Sequence, residues 1–282
     1  MSRLFIILQY ILPHHLLSAV MHAITRVEWV PFKNYIIRRV VELYKVDMSQ
    51  AKETNSENYV SFNAFFTREL NKDARPITEG NNVVSPVDGK VSQAGDIKNG
   101  RIFQAKQHSY SLMELLGGNE NLADEFKNGK FSTLYLSPRD YHRIHMPLTG
   151  TLRSMIHVPG RLFSVSPLTT REVPRLFARN ERLINIFDTD NGPFAVIMVG
   201  AIFVSSMDTV WSGTVTPKRL KPTHWGYDQA NPITLEKGQE MGRFNMGSTV
   251  ILLFPENKMN WIDELTPDAT VIMGQEVATL NQ

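Results

Sequence analysis

From residue 83 onward the chain is written in short runs of β-branched and aromatic residues, each closed by a turn signal. VVSPVDGKVSQ, RIFQA, FSTLYLSP, TLRSMIHV, RLINIFDTDNG, PFAVIMVGAIFVSSM and TVILLF follow one another, and one short helical patch, SLMELLGG, interrupts them. Runs of this length and texture are strands. The Asp190-Asn191-Gly192 triplet between two of them is a hairpin turn, because Asn and Gly accept the positive φ that tight hairpins need. Apolar residues make up 42% of the 282, so such a body can bury a sizeable core. No repeat and no low-complexity tract divides it.

The N-terminal end is written differently. Residues 4–12, LFIILQYIL, contain one strongly polar side chain, Gln9, and meet Pro13 and two histidines. Nine such residues cannot cross a bilayer core, which takes about 20 in helix. They also make a poor secretory signal, with only Arg3 as a charged start and no clear small-residue cleavage site. Leu16, Val20, Ala23 and Val27 then recur at helical spacing. A third helix opens at Pro31, with Phe32, Ile36, Val40 and Leu43 on one face and Lys33, Arg38, Arg39 and Lys45 projecting elsewhere. Residues 1–46 hold six basic and two acidic side chains, a balance of +4, while the remainder balances at −2. Apolar faces with basic flanks suit helices lying in an anionic membrane interface; docking on the protein's own core is the plain alternative. A polar connector, VDMSQAKETNSEN, follows, and YVSFNAFFTREL reads as a further helix. The fold class expected is therefore α+β, with N-terminal amphipathic helices followed by a β-rich, sandwich- or barrel-like body.

Composition narrows the chemistry. No cysteine is present, which excludes a disulfide framework, a thiolate metal site and a cysteine nucleophile. Lys plus Arg is 30 against 28 Asp plus Glu, without the basic excess of a nucleic-acid binder. Four constellations remain. In Ser85-Pro86-Val87-Asp88-Gly89-Lys90-Val91 the Asp-Gly step is most simply a turn; the heptad also resembles the hairpin of lipoyl- and biotin-carrying domains but lacks their Met-Lys-Met tip. In Asp140-Tyr141-His142-Arg143-Ile144-His145-Met146-Pro147 two histidines stand three apart. They can act as base and proton donor, or bind zinc if a third ligand exists, or be a satisfied buried pair. In the segment 237–250 Gly247 permits unusual backbone angles directly before Ser248, yet Gly-Ser-Thr is not the elbow of the α/β-hydrolases. Gly200-Ala201-Ile202-Phe203-Val204 is most simply a buried strand.

Taken together, these segments resemble the bacterial phosphatidylserine decarboxylases, the pyruvoyl-dependent lipid enzymes. Phe62-Asn63-Ala64-Phe65-Phe66-Thr67-Arg68-Glu69-Leu70 with Arg75-Pro76, then Ser85 to Gly89, Tyr141 to Pro147 and Lys237 to Thr249 stand in the family's order. Met246 occupies a position where the family usually has Leu or Phe, a mild departure at a side chain that does not react.

The resemblance implies a self-cleaving proenzyme. Asp88 would orient His145, His145 would take the Ser248 proton, and the hydroxyl would attack the Gly247 carbonyl. Spacing alone permits an ordinary serine hydrolase with the same three residues. By the resemblance, the Gly247–Ser248 bond becomes an ester, elimination cleaves it, and residue 248 ends as a pyruvoyl group. That group would form a Schiff base with phosphatidylserine and serve as electron sink for loss of CO2, with no metal and no pyridoxal phosphate. His142 is the candidate proton donor, with His145 as competitor, and phosphatidylethanolamine the product. A pyruvoyl decarboxylase of a soluble amino acid would cleave likewise but would not need the membrane segment. The implied organisation is a membrane-associating segment, 1–46, and a catalytic domain, 47–282, split into a β chain, 1–247, and an α chain, 248–282. The two chains are expected to stay associated and to form a homodimer of such pairs. Attachment is expected to be peripheral, on the cytoplasmic side of the cytoplasmic membrane. Arg139, Arg143 and Arg161 are candidates for the substrate's phosphate or carboxylate.

Overall fold

The computed structural model describes residues 2–105, 107–204, 206–215, 220–228 and 230–281; the Arg3 side chain and Gln282 lie outside the described residues. Three helices open the chain: α1 (Ser2–Ile11), α2 (His14–Thr25) and α3 (Val30–Tyr44). Pro13 separates the first two, which meet at 89°. No single helix is long and apolar enough to cross a membrane, although this bent pair together has the length and composition to do so. A fourth helix, α4 (Phe62–Phe66), is far shorter than YVSFNAFFTREL suggests. Ser61 caps its start by accepting from the Ala64 N–H. Its end is fixed where Thr67 turns back to the Asn63 carbonyl, and Leu70 leaves to bridge Ala51.

The body is β-rich, as expected. Its main sheet is antiparallel and runs in the order Thr223–Gly226, Gly150–Val158, Arg182–Asp188, Phe194–Val199, Thr249–Phe254, Lys130–Tyr135, Gly89–Asp96 and Thr270–Val271, with Thr234–Leu235 also on Gly150–Val158. The expected hairpin is present. Arg182–Asp188 and Phe194–Val199 pair down to Phe187 opposite Phe194, and Gly192 closes the turn at φ +104°. A second sheet, in the order Gly213–Val215, Met207–Thr209, Glu240–Phe244 and Arg143–His145, stands beside it. A third joins Asn82–Val84, Glu276–Leu280 and Met259–Trp261.

Strand Thr249–Phe254 is the keystone. All six residues are buried, and Val250 to Leu253 expose nothing. It pairs on one side with Lys130–Tyr135 and on the other with Phe194–Val199. Each buried aliphatic side chain contributes roughly 1.5–3 kcal/mol by leaving water. The segment 248–282 also supplies Thr270–Val271 and Glu276–Leu280 to two sheets, so it is woven through the body.

Two further readings of the sequence need correction. Gly200–Val204 is not strand: the strand ends at Val199, and a turn follows in which Phe203 is left-handed at φ +71° and Val204 N–H reaches the Ala201 carbonyl. Lys33 does not project with the other cations. It is buried, and its ammonium is held by Asn34 and the Glu57 carbonyl at 2.7 and 2.8 Å.

Helix α2 buries His14, Ser18 and Thr25 and exposes Leu16 and Val20, the reverse of a helix docked on a protein core. Leu4, Ile7 and Ile11 of α1 are likewise exposed. Polar side chains hold the pair down. Gln9 accepts from Ser164 N–H at 2.8 Å, His14 Nδ1 accepts from Leu162 N–H at 3.3 Å, and His15 Nε2–H donates to the Gly160 carbonyl at 3.0 Å. Helix α3 shares a small core with α4: Ile37, Val46, Phe62, Phe65 and Phe66, with Met246 packed against it.

Candidate active site

Residues 245–248 cross from the second sheet to the main sheet, between strands Glu240–Phe244 and Thr249–Phe254. The crossing is pinned at both ends. Asn245 is buried, and its amide donates to Ser206 Oγ at 2.7 Å and Asp208 Oδ1 at 2.9 Å while its carbonyl accepts from Asn63 at 3.1 Å. At the far end the Ser248 carbonyl accepts from Leu136 N–H at 3.0 Å. Ser248 is fully buried, and its Oγ has no hydrogen-bond partner. A buried hydroxyl without a partner is costly, by about 1–3 kcal/mol; Ser132, Thr133 and Thr249 share that state, and what sets Ser248 apart is the glycine before it, which faces His142.

Gly247 lacks the positive φ that its place before Ser248 suggests. A Cβ built there would lie 3.5 Å from His142 Nε2 and 3.5 Å from the Leu136 carbonyl oxygen, both ordinary contacts. Glycine is therefore not demanded by backbone strain. What it does is leave the face of this peptide toward His142 bare.

His142 is fully buried, with its ring 4.0 Å from that of Phe66. Its Nδ1 lies 2.8 Å from the Asp140 carbonyl, which can only accept, so the proton sits on Nδ1 and the lone pair on Nε2. Nε2 has no partner. Burial, with help from the Arg68 charge, pushes the pKa of His142 down to about 3, so the ring is neutral at physiological pH.

His145 ends the short strand Arg143–His145 and faces a different set of groups. Its Nδ1–H donates to the Gly238 carbonyl at 2.7 Å, and Tyr141 O–H donates to its Nε2 at 3.0 Å. Burial again lowers its pKa. Asp88 is held by Arg75, whose Nε lies 2.9 and 3.1 Å from the two carboxylate oxygens and whose Nη2 also contacts Oδ2. Met273 N–H adds a third donor at 2.9 Å.

The structure thus brings His142, Gly247 and Ser248 together and sets Asp88 and His145 in an adjoining network without a direct hydrogen bond between those two or to Ser248. Asp88 is near enough to favour the charged form of His145 electrostatically. Arg143 is committed elsewhere, to the Thr67 carbonyl, Glu69 and Glu240. Arg161 is exposed beside His14 and has no hydrogen bond or ion pair with this network. Among the described residues no group of three or more His, Asp or Glu is gathered as a metal site.

An apolar cavity of about 300 Å3 opens onto this crossing. Met246 and Gly247 form part of its wall, α2 and α3 contribute Met21, Ile24, Ile36 and Val40, and the turn after Val199 contributes Ile202 and Phe203. Tyr141, Arg75 and the 201–203 turn join the site without having been singled out in the sequence: Tyr141 and Arg75 lie inside the quoted motifs and are legible there, whereas the turn is hidden inside an apolar run that reads as strand.

Two family models match the chain, one described as phosphatidylserine decarboxylase over residues 62–279 and one described as PSD over residues 4–45. A phosphatidylserine decarboxylase proenzyme of Azotobacter vinelandii is 53% identical over 282 residues, 98% of either chain. One from Pseudomonas fluorescens is 55% identical over 280 residues, covering 97% of this chain and 96% of the relative. One from Bordetella pertussis is 52% identical over 280 residues, covering 98% and 94%.

Proposed function

The chain belongs to the bacterial phosphatidylserine decarboxylase family and is a decarboxylase made as a proenzyme; from that premise we propose how its own residues carry out maturation and catalysis. Ser248 Oγ attacks the carbonyl carbon of Gly247. The C–N bond breaks as the C–O bond forms, leaving an ester and a free amine on residue 248. Elimination across Cα–Cβ of residue 248 releases the Gly247 carboxylate, and water replaces nitrogen, which leaves as ammonia, to give a pyruvoyl group. The products are chains 1–247 and 248–282, held together by the buried strand Thr249–Phe254.

The observation that carries this reading is the meeting of three features at one peptide: a buried Ser248 hydroxyl without a partner, a bare glycine before it, and the unpartnered His142 Nε2 facing that glycine. The buried, unpartnered oxygen fits a residue consumed in making its own prosthetic group. A pyruvoyl group there would supply the electron sink for loss of CO2 from phosphatidylserine, giving phosphatidylethanolamine. His142 is the proton donor to the substrate carbon: its Nε2, which carries no proton at rest, would first take one from the substrate's ammonium and return it to that carbon once CO2 has left. The apolar cavity takes the acyl part of the lipid and keeps water from the reacting carbon.

For self-cleavage the relay is Asp88, His145 and Ser248, which requires His145 Nε2 to release Tyr141. The geometry at Gly247 favours a second assignment, in which His142 also takes the Ser248 proton. His145→Ala and His142→Ala separate them: the relay expects only His145→Ala to block cleavage, the second assignment expects His142→Ala to block it.

The exposed apolar faces of α1 and α2 support peripheral attachment to the anionic cytoplasmic leaflet. Each buried CH2 adds about 0.8 kcal/mol, and each basic side chain near the surface about 1 kcal/mol. The same reading extends to a homodimer of two-chain units. The deciding measurement is the denaturing intact mass of mature protein. Two species splitting at Gly247–Ser248, the smaller one blocked at its N-terminus, are expected. A single uncleaved species from folded protein overturns the pyruvoyl reading and favours a serine hydrolase.

A further inference from the structure

A second, polar cavity of about 250 Å3 adjoins the apolar one. Tyr44 and Pro138 line the apolar cavity, and their chain neighbours Lys45 and Arg139 line the polar one, so the two meet along the end of α3 and the 136–141 loop. An apolar compartment joined to a polar one has the form of an amphiphile.

Arg68 is the unusual residue of the polar cavity. It is 96% buried, at 4% relative exposure, and its Nε and Nη1 have no hydrogen-bond partner. Its Nη2 donates to the Arg139 carbonyl at 3.1 Å, and its guanidinium carbon lies 5.6 Å from the centre of the Phe65 ring. It forms no ion pair among the described residues. The carboxylates around it are already engaged: Asp88 by Arg75 and Met273 N–H, Asp140 by Ser137 N–H, and Asp47 by Ser49. A guanidinium stays charged, and a buried charge without a counter-ion is expensive. Burial disfavours its charged form here, which is the sign of that cost.

Arg68 also stands next to the chemistry. It donates to the carbonyl of Arg139, and His142 donates to the carbonyl of the following residue, Asp140, while aiming its other nitrogen at Gly247.

We propose that Arg68 binds the phosphodiester of the substrate's head group. The inference rests on the decarboxylase reading above and adds the residue that holds the anion. Substrate chemistry decides which anion. The carboxylate loses its charge as CO2 departs, so a tight cation on it would favour the ground state over the transition state. The phosphodiester is unchanged from substrate to product, and a cation on it strengthens both states alike. Its signature is therefore in KM rather than kcat.

The test uses mature enzyme, wild type and variants, with short-chain phosphatidylserine in micelles. Arg68→Met is expected to raise KM about 10- to 100-fold with a much smaller change in kcat. Arg68→Lys, which keeps the charge and loses the fork, is expected to fall between. Glycerophosphoethanolamine, a phosphodiester without a carboxylate, should compete against wild type and lose its effect on Arg68→Met. A fall in kcat at constant KM overturns the proposal, as does inhibition of both proteins alike, or inorganic phosphate competing as well as the phosphodiester. Should Arg68→Met fail to split at Gly247–Ser248, Arg68→Lys carries the same comparison; failure of both overturns the proposal in favour of a role in maturation. Wild-type protein that releases no CO2 from phosphatidylserine fails the underlying reading instead, whereas normal wild-type turnover with an unshifted Arg68→Met fails only this inference.

Discussion

The β body and the first two helices follow opposite rules of burial. In strand Thr249–Phe254 every apolar side chain is inside. In α1 and α2, Gln9, His14, Ser18 and Thr25 are inside while Leu4, Ile7, Ile11 and Leu16 face out. The body is stabilised by removing apolar surface from water. The helical layer gains nothing that way from its outer face; Gln9, His14 and His15 pin it to the backbone of 160–164, and Ile6 and the Tyr10 ring pack against the body. The two regions thus bury opposite kinds of side chain, and the apolar cavity with the Gly247–Ser248 crossing lies where they meet.

If the two regions are functionally separable, changes in one should leave the other's readout alone. The largest effect belongs to Ser248→Ala, which removes the attacking oxygen. Cleavage should fall by about 10^3-fold or more, with one species in the intact mass and vesicle binding unchanged. Loss of vesicle binding by this variant would tie the helices to maturation and break the comparison. Next is the outer face. Ile7→Ser with Leu16→Ser removes two exposed apolar side chains, so partition onto anionic vesicles should weaken about 100-fold at roughly 1.5 kcal/mol each. Sedimentation with vesicles measures it, and the thermal midpoint of the body should not move. A matching drop in that midpoint would show these side chains to be core.

A smaller effect sharpens the body's side of the comparison. His142 is neutral in the fold with a pKa of about 3, against about 6.5 in the unfolded chain. The unfolded chain therefore takes up a proton near pH 6.5 that the folded chain refuses. Stability from this group is complete above pH 6.5 and is lost as pH falls toward 3, at about 1.4 kcal/mol per pH unit. Burial of His145 acts in the same direction. Between pH 6.5 and 5 the urea-unfolding free energy of uncleavable Ser248→Ala protein should drop by about 2 kcal/mol. Adding His142→Gln should flatten that slope; an unchanged slope would assign it to other groups.

Local pattern carried much of the fold. TVILLF announces a buried strand by its unbroken apolar run, Asp190-Asn191-Gly192 a hairpin by its turn chemistry, and SLMELLGG a short helical patch. The misreadings have both distant and local causes. Lys33 is buried because Glu57 offers a carbonyl 24 residues away, which no helical face reveals. Gly200–Val204 has the composition of a strand, but the left-handed Phe203 turns it into cavity wall. The motifs named Asp88, His142, His145 and Ser248, yet not which histidine nitrogen faces Gly247. That depends on the acceptor each Nδ1 finds, Asp140 for His142 and Gly238 for His145.

The smallest effect tests how the two regions are joined. Gln9 is the one strongly polar side chain in LFIILQYIL, and it is almost wholly buried. Its carbonyl accepts the Ser164 N–H, and Ser164 lines the apolar cavity. Gln9→Leu is more apolar and would strengthen a helix held by apolar packing. Here it leaves a backbone N–H without its acceptor, at a cost of about 1–3 kcal/mol, less whatever water recovers. Because the loss falls on the contact between α1 and the body, it should appear as local opening rather than global unfolding. Amide exchange across residues 2–25 should quicken by about 5- to 10-fold, corresponding to roughly 1 kcal/mol, while exchange in Thr249–Phe254 stays as slow as before. Slower exchange in α1 would mean that apolar packing, not the polar pin, holds the helix, and that both regions obey one rule of burial after all.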